Sequence, residues 1–144
     1  ATAYYLKNGE KYFGKFDIVV QLMPNCPFFT TKNIDNALEN FIKKKFDSQI
    51  SYSEFLFSKP EWAVNIDQKK NKITPLVKKT SVKSSNSFKK SYFPTGAVWI
   101  SKSHTLLKHK TFRSPKFGYF ICDFVSAIDV DTQDELKVAK LLFK

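Results

Sequence analysis

Two aspartates, Asp129 and Asp131, stand one residue apart between apolar neighbours in the stretch AIDVDT, in a chain with 24 Lys plus Arg against 13 Asp plus Glu. In an extended strand, side chains at i and i+2 share a face, so this spacing turns both carboxylates to one side while Ile128 and Val130 face the other. Such a pair can hold one cation. The following stretch, TQDELKVAKLLFK, has Thr132 with Glu135 three residues later, a capping box that predicts a helix start. The carboxylates therefore fall at a strand-to-helix junction, and in open α/β sheets ligands bind outside the carboxyl ends of the strands. The plainer alternative is a pair of solvated acids that favour the helix N-terminus.

The elements that must position these residues are legible in the same way. FDIVVQL reads as a buried strand stopped by the two prolines of MPNCPF. TKNIDNALENFIKKKF places Ile34, Ala37, Leu38, Phe41 and Ile42 on one helical stripe, giving the βα half of a parallel unit. DSQISYSEF alternates as a strand, and residues 58–93, bearing Lys, Ser and Pro around apolar islands such as ITPLV, predict an excursion from the sheet. GAVWISK predicts a strand beginning just after Gly96, HTLLKHK a short helical piece, FGYFICDF and SAIDVD two more strands, and the terminal stretch a helix. Strands alternating with helices predict an α/β sheet in one domain over residues 1–144.

Composition narrows the function classes. With 42% hydrophobic and 16% aromatic residues, the chain has the material for a packed core, which argues against disorder. No apolar run approaches the roughly 20 residues that span a bilayer, and the N-terminal stretch lacks a signal-peptide layout, so a cytoplasmic protein without a membrane partner is expected. Cys26 and Cys122 are too few for a disulfide framework or a zinc cluster and read as buried or half-buried free thiols. His104 and His109 read as surface residues. The net charge of +11 calls for an anionic partner or for nothing more than solubility, and is densest from Lys69 to Lys90, which holds eight lysines and no acid. Arg113 is the one arginine, however, and base reading favours Arg, which argues against a sequence-specific nucleic-acid partner.

Four stretches in order, QLMPNCPFFT, DSQIS, PTGAVWI and SAIDVDTQDEL, resemble the acylneuraminate cytidylyltransferases, the CMP-sialic acid synthetase family, over residues 16–144. The resemblance implies a Rossmann-like nucleotidyltransferase sheet with an inserted dimerisation excursion at 58–93, and hence a homodimer. It also implies a Mg²⁺-dependent reaction of CTP with a 2-keto sugar acid to give a CMP-sugar and pyrophosphate. By this resemblance Asp129 and Asp131 are the catalytic, Mg²⁺-binding pair. Gly96 and Ala97 match the family's Asn-Gly-Ala turn, where a missing side chain lets a ligand approach the backbone, with Thr95 in place of the asparagine. Phe112 matches an aromatic that lines the sugar-acid pocket.

The chain also departs from the family pattern. Where the family reads Gln-Pro-Thr-Ser-Pro-Leu-Arg-Thr, residues 23–30 run from Met23 to Thr30, with Asn25 for the first threonine and Phe29 for the arginine. Gln21 takes the glutamine's role if the loop is re-registered. Lys83 is the nearest basic residue to the position of the family's insertion arginine, near Ser85. The substrate-binding residues implied by resemblance are thus Gln21, Asn25, Lys83, Thr95, Gly96 and Phe112. The sugar acid is sialic acid, a relative such as pseudaminic or legionaminic acid, or a simpler 2-keto sugar. The family's opening strand and PARGGSK loop find no match, so the expectation is the C-terminal portion of a longer enzyme, catalytically silent by itself. A non-catalytic binding domain of the same fold is the alternative.

Overall fold

A computed structural model of the chain describes residues 1–77 and 89–143. In chain order the elements are α1 (Thr2–Phe13), β1 (Ile18–Leu22), α2 (Thr31–Lys44), β2 (Ser48–Glu54), β3 (Val64–Asp67), β4 (Lys72–Pro75), β5 (Tyr92–Lys102), α3 (Ser103–His109), β6 (Phe117–Ile121) and α4 (Gln133–Leu142). They form two compact units, Ala1–Ser53 with Pro94–Lys144, and Glu54–Phe93.

The larger unit is built on a four-stranded sheet of order β1-β5-β2-β6. β2 and β6 run parallel, with Ser48 opposite Phe117, whereas β1 and β5 run antiparallel, with Ile18 opposite Lys102. The sheet is therefore mixed: the chain leaves along β2 and returns through β5 after residues 54–93, so β5 enters reversed. This is a mixed α/β fold.

Each face of the sheet has its own core. On one, α2 lays Ala37 and Phe41 against Val98 and Ile100 of β5, with Phe29, Phe46 and Phe120 around them. A capping box between Thr30 and Asn33 starts α2, and Lys45 in the left-handed region (φ 53°) ends it. Ile42, the last residue of the apolar stripe, stays 57% exposed. On the other face, Leu6 of α1 meets Leu106 of α3 and Phe112, beside Val19 and Trp99.

β2 is buried although it is rich in polar residues, because each short side chain except Ser53 finds a near partner. The Ser48 and Ser114 hydroxyls pair at 2.7 Å, Ser51 pairs with Thr95 at 2.6 Å, and the Gln49 amide donates to the Ala37 carbonyl at 2.8 Å. β6 approaches closely where Gly118 faces Phe46; a Cβ there would lie 2.1 Å from the ring.

One predicted strand is absent. SAIDVD does not join the sheet, because β6 already ends at Ile121 and the chain turns at once. The Asp123 carboxylate accepts from the Ser126 amide (2.9 Å) and hydroxyl (2.6 Å), and the Ala127 amide donates to Phe124 (3.1 Å). Residues 128–131 follow without regular structure. The two aspartates are thus held by loop contacts and not by a strand pleat.

In the smaller unit β3 and β4 pair as an antiparallel hairpin, with Ile66 opposite Ile73, preceded by a 3-10 turn at Pro60–Trp62. The Phe55 and Phe93 rings pack at a tilt with centroids 4.9 Å apart, and the Lys90 ammonium meets Glu54 at 2.9 Å. Lys83, expected to bind substrate, and Phe88 lie outside the described residues. No described helix is long and apolar enough to cross a membrane.

Candidate functional site

The loop after β1 and the chain after β6 meet at the end of the sheet where the parallel strands finish. Pro24 and Pro27 deny the loop further ladder bonds. It is instead anchored by the Met23 amide on the Ala97 carbonyl (3.2 Å) and by a turn that brings the Cys26 amide to the Met23 carbonyl (3.4 Å). Asn25 then reaches across to the aspartates. Its carbonyl accepts from the Val130 amide at 2.9 Å, and its side-chain amide donates to Asp131 Oδ1 at 2.8 Å.

α4 holds the other side. The expected capping box is present, Thr132 and Glu135 satisfying each other's amides, and Glu135 Oε2 also accepts from the Asp131 amide at 2.9 Å. Asp131 is therefore fixed through its backbone by Glu135 and through its carboxylate by Asn25.

This arrangement leaves two oxygens unmet. The carboxylate of Asp131 requires a donor, which forces the Asn25 amide nitrogen toward it and turns Asn25 Oδ1 inward. Asn25 Oδ1 and Asp129 Oδ1 are both buried, and neither has a hydrogen-bond donor. Burial, then the neighbouring charges of Asp131 and Glu135, raises the Asp129 pKa above the ordinary carboxylate value. Hydrogen bonds from the Thr132 hydroxyl and nearby amides push Glu135 the other way. An acceptor-rich cluster with a disfavoured charge suits a hard cation bound through oxygen. No group of three or more His, Cys, Asp or Glu side chains is placed to hold a metal among the described residues.

Burial raises both thiols to about 11, with Asp129 adding to the effect on Cys26, so neither is a thiolate nucleophile at neutral pH. They are buried and free, as expected, and both histidines are exposed.

The remaining expected site residues do not all join this cluster. Thr95 is buried, bound to Ser51 and accepting from the Ala97 amide at 3.3 Å. Gly96 serves through its conformation: its φ of 73° demands glycine, whereas an added Cβ would meet only Trp99 Nε1 at 4.0 Å. Gln21 accepts from the Thr2 hydroxyl at 2.5 Å and shares with Phe112 and Trp99 a cavity of about 800 Å³ that also takes in α1 and α3. The aspartates do not line that cavity. Phe112 is itself core, packed edge-on against Trp99 at 5.8 Å. Lys7 and Lys110, which also line the cavity, carried no distinguishing sequence signal.

Compared with known proteins, the chain matches no family model and no curated protein. Fold and site together define a mixed α/β domain with a two-carboxylate oxygen cluster at its sheet end.

Because the Asp129 pKa is raised in the fold, its ionised form opposes folding. The stability this group contributes is full below its ordinary pKa and is lost as pH rises through the raised value. Asp129→Asn is therefore expected to raise the melting temperature by about 1–3 °C at pH 7 in metal-free buffer, the gap closing toward pH 4. Identical melting curves at both pH values would contradict the assignment.

Proposed function

We propose that the chain is the C-terminal portion of a cytidylyltransferase of the CMP-sialic acid synthetase type, an enzyme that joins CTP to a 2-keto sugar acid with release of pyrophosphate, and that this portion alone is catalytically silent. The four ordered stretches support this, and the observation that carries it is the pair of donorless buried oxygens, Asn25 Oδ1 and Asp129 Oδ1, beside Asp131. In this reading the sheet is Rossmann-like.

Asp129 and Asp131 would hold Mg²⁺, with Asn25 Oδ1 close by and triphosphate oxygens completing the coordination. When bound, the cation offsets the charge that builds as the sugar hydroxyl displaces pyrophosphate in line at the α-phosphorus. The chain's part is orientation. Asn25 and Glu135 hold Asp131 in place, and a bound cation would offset the disfavoured Asp129 charge and so favour its ionised form. The cavity beside Gln21 and Phe112 would receive the sugar acid, with Lys7 and Lys110 at hand for its carboxylate.

Asp131→Asn is expected to weaken Mg²⁺-dependent CTP binding at least about tenfold by calorimetry, and Asn25→Ala by about 10–100-fold through the misplaced carboxylate. Binding that is unchanged in both variants, or that does not need Mg²⁺, would remove the metal role.

The proposed homodimer rests on the smaller unit, where Ile66 and Ile73 pair across the hairpin yet remain 64% and 66% exposed. Ile66→Glu with Ile73→Lys keeps a favourable cross-strand pair while removing the apolar surface. Light scattering is expected to find the wild type at about twice, and the variant at, the 16.7 kDa chain mass. A wild type monomeric at high concentration would end the proposal.

A further inference from the structure

The opposite end of the sheet carries a cavity that the proposed reaction does not use. Since β2 and β6 run parallel and β5 runs against β1, the starts of β1, β2 and β6 share one edge with the end of β5. There a cavity of about 530 Å³ opens, walled by Lys45, Lys102, Lys116 and His104. Its apolar side is formed by Phe41 and Phe46, with Ile18 and Ile42.

The charges on this wall are not all spent on each other. Lys102 binds Asp47 at 2.7 Å. That hydrogen bond, with the charges of Lys116 and His104 behind it, holds the Asp47 carboxyl below its ordinary range. Lys45 and Lys116 have no ion pair among the described residues. Asp17 is the opposing acid of the lining, so three lysines face two aspartates. The negative end of α2 is also blunted, because the Lys45 amide closes on the carbonyls of Phe41 and Ile42.

We infer that this cavity binds an organic phosphate monoester, its phosphate between Lys45 and Lys116 and its ring or other apolar body against Phe41 and Phe46. Lysines act as compact point charges and suit a phosphate dianion, as the lysine of phosphate-binding loops does. The volume falls in the range of small-molecule sites, larger than an inorganic ion needs. The site lies within the larger unit and does not depend on the cytidylyltransferase reading.

The test is a titration of the whole chain with phenyl phosphate, followed by backbone amide shifts. Saturable shifts are expected at Lys45, Phe46, Lys102 and Lys116, with inorganic phosphate binding at least about tenfold more weakly for want of the apolar contact. Lys45→Asn with Lys116→Ser is expected to weaken phenyl phosphate at least about tenfold. Asparagine tolerates the left-handed cap at 45, and a melting curve matching the wild type establishes that the variant is folded. Inorganic phosphate binding equally well, unchanged affinity in the folded double variant, or shifts confined to other lysines would overturn the inference.

Discussion

The site depends on one asparagine that ties together chain segments 106 positions apart. Asn25 takes the Val130 amide on its backbone and gives its side-chain amide to Asp131, so the loop after β1 and the approach to α4 become one wall. The tie has a cost. It leaves Asn25 Oδ1 buried without a donor, as Asp129 Oδ1 also is, and each such group costs about 1–3 kcal/mol. The cation proposed above would give both groups a partner.

The platform beneath the wall is packed through small residues. Ser51 of β2 bonds Thr95 of β5, Ser48 bonds Ser114 ahead of β6, and Gly118 makes room for the Phe46 ring just after α2. The same close packing brings Lys45, Lys102 and Lys116 together at the far end of the sheet. One mixed sheet therefore presents an acidic end and a basic end. The reversed strand β5 links them, carrying Thr95 and Gly96 near its start and Lys102 at its finish.

Elements with strong local signals were readable from the chain. The stripe from Ile34 to Ile42, the prolines after β1 and the Thr132–Glu135 box each specify their element by short-range chemistry. The direction of β5 was not readable, since strand periodicity carries no sign. Nor was α1, whose stripe buries only Leu6. SAIDVD has the alternation of a strand, but its first residue, Ser126, closes a local turn with Asp123 that takes the chain away from the sheet. In the candidate site, Asp129 and Asp131 stood out by type and spacing, whereas the role of Asn25 depends on a contact that no local pattern encodes.

The most direct test of the account is paramagnetic. With Mn²⁺ in place of Mg²⁺ and CTP present, nuclear relaxation reports which backbone amides lie near the cation. Broadening is expected to centre on Asn25, Asp129 and Asp131 and to vanish when excess Mg²⁺ is added. Broadening centred elsewhere, or none at all, would show that the two carboxylates and Asn25 do not form a metal site.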